Sequence, residues 1–257
     1  MHTKIMGILN ITPDSFSDNQ RLYDIEKGPL TDAILRRVEN MISEGTEIID
    51  IGGESTRPGF EPVSAEEECH RVIPVIEMIK KEFDTIISLD TYKALTAREG
   101  LAAGASIIND VGMLKADPDM KDVIADSDCR YVLVYNKENY VNILTGIKEA
   151  LDETVSYGIS CERIILDPGV GFGKTYEQNL EAIRRLPELC KLDYPVLLGT
   201  SNKSVIGNTL NLPVDQRLEG TLATTAWAVV SGASYVRVHD IESNARVIKM
   251  MESILYG

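Results

Sequence analysis

The sequence has no long apolar run, no closely spaced cysteines and few histidines, and each of these absences excludes a class of protein. No stretch approaches the roughly 20 apolar residues that a membrane-spanning helix needs. The 4 cysteines have neither metal-binding nor redox spacing, so we expect reduced thiols that are mostly buried. The 3 histidines are too scattered for a zinc site that the sequence alone would reveal.

The shortage of positive charge narrows the range of partners. The chain has 26 Lys and Arg residues against 40 Asp and Glu residues, which gives a net charge of −14 at pH 7. Nucleic acid and anionic membranes both require a basic surface, so we expect neither as a partner. The short apolar stretch Ile5–Ile11 runs into Thr12-Pro13-Asp14 instead of a small-residue cleavage site, so we expect no secretory signal. Together with the reduced cysteines, this predicts a cytoplasmic protein.

A short apolar run rich in Ile and Val, followed by a polar loop and an amphipathic stretch, occurs 8 times along the chain. Near-continuous hydrophobicity is typical of parallel strands that are covered on both faces. The predicted strands are Ile5–Ile11, Glu47–Gly53, Ile86–Thr91, Ala105–Val111, Tyr131–Asn136, Arg163–Gly169, Tyr194–Thr200 and Ala233–Asp240.

Helical periodicity lies between the predicted strands. Leu30–Glu44 and Ala65–Glu82 each place their apolar residues near one face of a helix. Several helices are predicted to end at a glycine just before the next strand, because glycine adopts the left-handed conformation that terminates a helix. These glycines are Gly45, Gly104, Gly158 and Gly232.

Strands that alternate with helices predict parallel βαβ units with right-handed crossovers. Eight such units in 257 residues match the size of a closed (β/α)8 TIM barrel. A doubly wound open sheet is the structural alternative. No linker or change in composition divides the chain, so we expect one domain over residues 1–257. In a barrel, the carboxyl ends of the strands meet at one face, where such enzymes place their active sites.

Polar residues follow the predicted strands and suggest a ligand. Asp90, Asn109 and Asp167 end three strands, and carboxylates with an amide can hydrogen-bond the edge of a flat, nitrogen-rich ring. Lys203 adds a cationic donor. Each acid or amide also has a simpler interpretation, since Asp and Asn after a strand often cap the next helix.

A second group of residues offers positive charge for a phosphorylated group. Arg57, Arg237 and His239 are the candidates. Ser204 lies where a helix is predicted to begin, and the free amides at a helix start bind anions such as a carboxylate. The simpler interpretation is a salt bridge at the barrel rim for Arg237 and a structural histidine for His239.

The segment Gly169–Thr175 resembles a nucleotide phosphate loop but does not match it. A phosphate loop has four residues between its first glycine and its Gly-Lys pair, whereas here 3 residues separate Gly169 from Gly173-Lys174. The segment also lacks the dinucleotide-binding spacing. An ATPase or NAD-dependent enzyme is therefore not expected.

Five segments together resemble the signatures of the bacterial dihydropteroate synthase family, in the order found in that family. The likeness extends from Ile5 to the last helix, and the first two segments are long and specific. They are Gly7–Asp18, Asp50–Gly59, Asp167–Lys174, Gly199–Ser204 and Arg237–His239.

The resemblance implies a reaction between 6-hydroxymethyl-7,8-dihydropterin diphosphate and 4-aminobenzoate, and with it Mg²⁺ as cofactor, a homodimer and a target of sulfonamides. It also implies a role for each matching residue. The pterin site would consist of Asp90, Asn109, Asp167 and Lys203. The diphosphate site would consist of Asn10, Arg57, Arg237 and His239, with Asn10 on the metal. The 4-aminobenzoate site would include Phe16, Thr56, Pro58, Phe172 and Ser204, and the loops carrying Phe16 and Pro58 would fold over it. The catalytic residues would be Asp90, Lys203, Arg57, Arg237 and His239.

The sequence departs from the family pattern at three places, and these keep two alternatives open. Asn202 stands where the family usually has arginine, Val134-Tyr135-Asn136 replaces Met-His-Asn, and Val111-Gly112-Met113 follows Asn109-Asp110. The first two changes motivate a non-catalytic pterin-binding paralogue. A pterin-dependent methyltransferase is the other alternative, although such an enzyme would not need the Thr56-Arg57-Pro58 loop.

Overall fold

The computed structural model describes residues 2–12, 16–17, 20–24, 28–54, 62–136 and 142–257, with the backbone alone at 16, 17, 20 and 21. Eight parallel strands form its centre. We number them β1 (Lys4–Asn10), β2 (Ile48–Gly52), β3 (Ile86–Asp90), β4 (Ile107–Asp110), β5 (Arg130–Val134), β6 (Ile164–Asp167), β7 (Leu197–Leu198) and β8 (Tyr235–Val238). Each overlaps one of the eight strands predicted from the sequence, and β1 and β5 begin one residue before the predicted start.

The sheet curves round into a nearly closed barrel. The strands pair in the order β6-β5-β4-β3-β2-β1-β8-β7. An isolated parallel bridge between Leu166 in β6 and Val196 beside β7 joins the two ends of the sheet, and the Leu166 N–H donates to Pro195 O at 2.9 Å. The barrel prediction is therefore confirmed, and the open-sheet alternative is wrong because an open sheet would leave these two edges apart.

Helices cover the outside of the barrel. They are α1 (Thr31–Ser43), α2 (Ala65–Glu82), α3 (Ala94–Ala103), α4 (Met120–Ala125), α5 (Ile143–Ser156), α6 (Tyr176–Arg184), α7 (Leu186–Leu189), α8 (Ser204–Leu210), α9 (Leu218–Ser231) and α10 (Ile241–Tyr256). The glycines at positions 45, 104, 158 and 232 all have positive φ, as predicted for residues that end a helix. None of the described helices is long and apolar enough to cross a membrane.

Two small antiparallel ribbons between β1 and α1 were not predicted from the sequence. Phe16–Ser17 pairs with Gln20–Arg21, and Tyr23–Asp24 pairs with Gly28–Pro29. Strands of two residues are too short to show an alternating hydrophobic pattern.

Strand alternation divides the core into two layers. On β2, Ile49 and Ile51 pack outward against the helices, while Ile48 and Asp50 face the interior. The inward apolar residues fill the barrel as a separate cluster: Met6, Ile48, Ile107, Val132, Val134, Ile165, Leu197 and Tyr235. Each buried side chain of this size contributes about 1.5–3 kcal/mol. The inward positions nearer the carboxyl ends of the strands carry polar residues instead.

His2 links the start of β1 to α10 at the end of the barrel where the strands begin. Its Nδ1 lies 3.0 Å from Glu252 of α10, and its Nε2 lies 3.0 Å from Glu47 Oε1. The same two carboxylates accept the N–H groups of Thr3 at 2.8 Å and Ile5 at 2.7 Å. The hydrogen bond to Glu252, followed by that to Glu47, raises the pKa of His2 above 6.5, although partial burial opposes the rise.

This contact predicts a small pH-dependent contribution to stability. Since folding raises the pKa of His2, the contribution is complete below the unfolded value of about 6.5 and is lost as the pH rises through the folded value. Because the His2 side chain is 59% exposed, we expect no more than about 1 kcal/mol. Thermal unfolding of the wild type and His2→Gln between about pH 5.5 and about pH 8.5 measures it. If the wild type remains more stable than His2→Gln by the same amount as the pH rises, the assignment of this contribution to His2 is wrong.

Candidate active site

An arginine held by two carboxylates lies inside the carboxyl end of the barrel. Arg237 on β8 donates from Nε to Asp50 Oδ2 on β2 at 2.6 Å, and from Nη2 to Asp90 Oδ2 on β3 at 2.6 Å. Asp50 is fully buried. Burial disfavours the charged guanidinium, but the two carboxylates outweigh that effect and raise the pKa of Arg237. Arg237 therefore forms a buried salt bridge and not the simpler salt bridge at the rim.

The environment of Asp90 disfavours its charged form. Burial raises its pKa to about 7, and the negative charges of Asp50 and Glu68 add to the rise, while Arg237 opposes it. The second cause, after burial, is that two carboxylates share one guanidinium, which leaves excess negative charge in a region of low dielectric constant.

Asn109 on β4 completes this side of the cavity. Its Nδ2 lies 3.5 Å from Asp50 Oδ2, which is the limit of a hydrogen bond. Its Oδ1 is buried and has no hydrogen-bond partner in the part of the chain that the structure describes, and the same holds for Asp50 Oδ1 and Ser88 Oγ. Unsatisfied buried acceptors are uncommon in native proteins, so these atoms indicate a place for a ligand or for water.

Asp167 and Lys203 form the opposite side of the cavity. Asp167 Oδ1 accepts the Gly169 N–H at 2.7 Å, and burial raises the pKa of Asp167, while Lys203 opposes the rise. Burial lowers the pKa of Lys203 to about 8. Lys203 Nζ donates to Val170 O at 2.5 Å and lies 4.4 Å from the centre of the Phe172 ring.

The two sides face one cavity. A Cβ atom built on Gly199, at the end of β7, would lie 3.7 Å from Asp167 Oδ2, 3.8 Å from Lys203 Nζ and 3.7 Å from Arg237 Cβ. Arg237 in turn contacts Asp90 and Asp50. The four candidate ring-binding residues, Asp90, Asn109, Asp167 and Lys203, are thus brought together from separate strands and loops. No described helix has Asp90, Asn109 or Asp167 as its N-cap residue.

The remaining described candidates lie at the cavity rim. Asn10 ends β1, and its Oδ1 would lie 3.2 Å from a Cβ atom on Gly52. His239 follows β8, and its Nδ1 lies 2.9 Å from Ser201 Oγ. Ser204 is the first residue of α8 and is exposed, as predicted for a helix start. Thr56, Arg57, Pro58 and the side chain of Phe16 lie outside the described residues.

A network of buried charges joins the ends of β2 and β3. Glu54 accepts from Lys93 Nζ, Tyr92 OH and the Val63 N–H, at 2.8, 2.8 and 2.9 Å respectively. Lys93 also lies 3.3 Å from Glu68 Oε2. Burial alone would raise the pKa of Glu54, but these hydrogen bonds lower it. The network fixes Glu54 and Val63, which flank the segment that contains Arg57.

The loop at Asn202 is anchored without the arginine that the family usually has there. Asn202 has φ +57, a left-handed conformation that asparagine adopts more readily than most residues. Its N–H donates to Thr221 Oγ1 at 3.2 Å, and its carbonyl accepts from Arg217 Nη1 at 2.9 Å. Arg217 therefore attaches this loop to the start of α9.

The other two departures affect both faces of the barrel wall, since Val134 and Val111 pack with the interior cluster and Tyr135 faces the helices. Tyr135 is buried on the helix side of the strands, and a Cβ atom on Gly146 of α5 would lie only 2.0 Å from its hydroxyl oxygen. Tyr135 therefore changes the packing against α5 and not the polar wall of the cavity. After β4, Asp110 closes a turn by accepting the N–H groups of Gly112 at 2.6 Å and Leu114 at 2.7 Å.

Sequence reasoning missed Asp50 as a site residue. The signal was present, because Asp50 interrupts the apolar run from Ile48 to Ile51 at an inward position of the strand. A carboxylate in a strand that is buried on both faces requires a partner. The sequence does not identify that partner, since Arg237 lies 187 residues further along the chain.

Comparison with known proteins agrees with the barrel fold. Residues 6–239 match the family of pterin-binding enzymes. The chain is 50% identical to a dihydropteroate synthase of Clostridium beijerinckii over 98% of this chain and 94% of that protein. A Clostridium difficile dihydropteroate synthase, crystallised in the presence of pteroic acid, is 45% identical, with a TM-score of 0.90 over 100% of this chain and 98% of the other. A Yersinia pestis dihydropteroate synthase in complex with a sulfonamide drug is 35% identical, with a TM-score of 0.88 over 99% and 94%.

Arg237→Met is expected to destabilise the fold by about 3–5 kcal/mol at neutral pH, because one partner of a buried ion pair is removed. Without the guanidinium, Asp50 repels Asp90 more strongly, and the pKa of Asp90 rises further. A carboxyl group whose pKa is raised by folding destabilises the folded state increasingly as the pH rises above the unfolded value of about 3.9. The loss of unfolding free energy caused by Arg237→Met should therefore be smaller at acidic pH.

Urea unfolding at about pH 5.5 and about pH 8 measures this deficit. The matched control is Arg246→Met, which breaks an exposed ion pair with Glu242 and should change the stability by less than about 0.5 kcal/mol. An equal deficit for Arg237→Met at both pH values would contradict the expected coupling to Asp90.

Proposed function

Because the chain belongs to the dihydropteroate synthase family of pterin-binding enzymes, we propose that it joins 6-hydroxymethyl-7,8-dihydropterin diphosphate to 4-aminobenzoate. The products are 7,8-dihydropteroate and diphosphate. The enzyme is a transferase of folate synthesis. All four cysteines are free thiols, although only Cys129 is buried, so the expectation of mostly buried thiols is wrong. Free thiols are usual in a reducing compartment, and we place the reaction in the cytoplasm.

The observation that carries the proposal is the single cavity lined by Asp90, Asn109, Asp167 and Lys203. Asn109 Oδ1, which is buried with no partner among the described residues, would accept an N–H from the edge of the pterin ring. The carboxylates of Asp90 and Asp167 would accept the remaining N–H groups, and Lys203 would donate to the ring. The ring would thereby give a donor to Asn109 Oδ1, which has no partner among the described residues.

The diphosphate would lie at the rim, beside Asn10, Arg57, Arg237 and His239. Mg²⁺ is held in proteins by oxygen ligands, often by one or two protein groups together with substrate phosphates and water. Asn10 supplies such an oxygen, and the described residues contain no group of three His, Cys, Asp or Glu side chains that could hold a metal. The donor set therefore fits Mg²⁺ that binds together with the diphosphate. When bound, the metal would neutralise charge on the departing diphosphate.

The residues of the cavity favour a dissociative reaction. The bond between the pterin methylene carbon and the diphosphate oxygen breaks, and its electron pair leaves with the diphosphate. Arg57, Arg237 and His239 would stabilise the charge that develops there. The negative charge of Asp90 would stabilise the pterin-methyl cation, which the amino nitrogen of 4-aminobenzoate then attacks, with loss of a proton. The protein positions the reactants and excludes water, and no side-chain nucleophile is required.

The 4-aminobenzoate would bind next to Lys203 at the mouth of the cavity. Its ring would pack against Phe172, which contacts the barrel interior, and its carboxylate would lie at the start of α8 near Ser204. Phe16, Thr56 and Pro58 would complete the site. The relatives crystallised with pteroic acid and with a sulfonamide drug support a site of this kind.

The two alternatives have less support from the structure. A non-catalytic paralogue was motivated by Asn202 and Tyr135, but the first is anchored through Arg217 and the second packs outside the cavity. A pterin-dependent methyltransferase would use the same ring-binding edge without cations for a diphosphate. Preferential binding of methyltetrahydrofolate over the pterin diphosphate would favour that alternative.

Purified protein with Mg²⁺ and both substrates should release diphosphate in a manner that requires 4-aminobenzoate. Asp90→Ala should abolish pterin binding in calorimetry, since it removes an acceptor from the ring edge. Ser204→Ala should mainly raise the KM for 4-aminobenzoate, by about ten-fold or less. Folded protein that binds pterin diphosphate without turnover would reject the proposal, and equal effects of both variants on both substrates would contradict the two assigned sites.

We also propose a homodimer that forms through α9 and α10. These two helices pack together and expose large apolar side chains, namely Trp227, Val230, Met250, Ile254 and Tyr256. Contiguous exposed apolar surface of this kind is typical of an interface. Light scattering should give twice the chain mass for the wild type and for Val155→Glu, a control on α5. Met250→Glu with Ile254→Glu should give a monomer, and an unchanged dimer would exclude this surface.

A further inference from the structure

The lysine of the Gly169–Lys174 segment binds protein carbonyls. Lys174 Nζ donates to Tyr135 O at 2.5 Å, to Gly169 O at 2.9 Å and to Phe172 O at 3.1 Å. These bonds use all three donors of an ammonium group. The Tyr135 ring lies beneath the same atom, 5.1 Å from its centre, in the geometry of a cation–π contact. The ammonium of Lys174 is therefore bound by carbonyl groups of the protein itself.

The backbone around this ammonium requires a positive charge at its centre. Three carbonyl oxygens, from the end of β5 and from the turn after β6, converge on one point, and their dipoles repel one another unless a cation lies between them. Gly169 has φ +64, and a Cβ atom there would lie 2.1 Å from Tyr135 O. The turn thus approaches β5 so closely that only glycine fits, and Lys174 holds the two together.

The turn held by Lys174 carries two groups of the cavity. Its Val170 carbonyl accepts from Lys203, and its Phe172 ring lies 4.4 Å from the same ammonium. Lys203 in turn faces Asp167. A shift of the turn would therefore move Phe172 and the partner of Lys203 together, while Asp90 and Asn109 on the other side of the cavity would stay in place.

We propose that Lys174 is a positioning residue for 4-aminobenzoate: its ammonium holds the turn that sets the places of Phe172 and Lys203. The proposal rests on the function proposed above. It assigns a role to the glycine-rich segment that resembles a phosphate loop, and that role is organisation of backbone carbonyls and not phosphate binding.

The charges around Lys174 are consistent with this role at neutral pH. Burial lowers the pKa of Lys174 to about 8, Asp167 opposes the fall and Lys203 adds to it. Lys174 is therefore mostly protonated near pH 7. Because the pKa of Lys203 is also lowered to about 8, a pH profile would not separate the two lysines, and a different measurement is needed.

The test uses Lys174→Met, which keeps the volume, Lys174→Ala, which leaves a cavity, and the control Lys191→Met at an exposed lysine. The first two variants should raise the KM for 4-aminobenzoate by about ten-fold and the KM for the pterin diphosphate by a smaller factor, because Lys203 is one of four groups that would hold the pterin ring. The control should match the wild type. Unchanged kinetics in both Lys174 variants would overturn the proposal.

Chemical rescue separates positioning from general damage to the fold. Methylammonium should enter the cavity of Lys174→Ala, donate to the same carbonyls and lower the KM for 4-aminobenzoate toward the wild-type value. Tetramethylammonium at the same ionic strength has no N–H groups and should have no effect. The variant must first have the circular dichroism of the wild type. If both ions then lower its KM for 4-aminobenzoate equally, or if neither does, the proposal is overturned.

Binding of pteroate by calorimetry gives a result that does not depend on turnover. Pteroate carries both ring systems, so Lys174→Ala should bind it about ten-fold more weakly than the wild type, with recovery in methylammonium. Wild-type protein that binds pteroate without turnover would reject the proposed function and leave the positioning role intact. Equal affinity of the wild type and Lys174→Ala would reject the positioning role alone.

Discussion

Arg237 lies between two carboxylates that belong to other strands, and the arrangement of the cavity depends on this contact. Asp50 and Asp90 are 2.6 Å from its guanidinium, and Asp50 also approaches the amide of Asn109. Removal of such charges from water has a large desolvation cost, which the mutual attraction only partly offsets. Burial, together with the excess negative charge that remains, raises the pKa of Asp90 to about 7, and these acceptors favour a ligand rich in N–H donors.

The apolar cluster beneath the cavity offsets this cost. Since side chains alternate along a strand, β2 directs Ile48 and Asp50 to the same interior, with the isoleucine in the packed cluster and the aspartate in the cavity. The same alternation places Tyr235 below Arg237 on β8. One end of the barrel therefore supplies stability, and the other holds groups that are unfavourable to bury without a ligand.

Partly buried cations that bind backbone carbonyls organise several turns of this acidic protein. Lys174 donates to three carbonyls beside the cavity, and Arg217 donates to those of Asn202 and Leu212. Away from the site, Arg163 donates to Ile124, Ser127 and Cys129. Each cation binds two or three carbonyl groups, so each of these turns depends on a side chain as well as on its own backbone.

The sequence by itself determined the barrel, because hydrophobic runs and helical periodicity are local properties of the chain. It also predicted Asp90, Asn109 and Asp167 as candidates for one site through their place after strands, and Lys203 as a cationic donor beside them. Only the tertiary structure decided that Arg237 pairs with Asp50 and Asp90, that Arg217 supports Asn202 and that Tyr135 faces α5. Partners in an ion pair or a packing contact can be separated by any length of chain, and closure of the barrel alone brings them together.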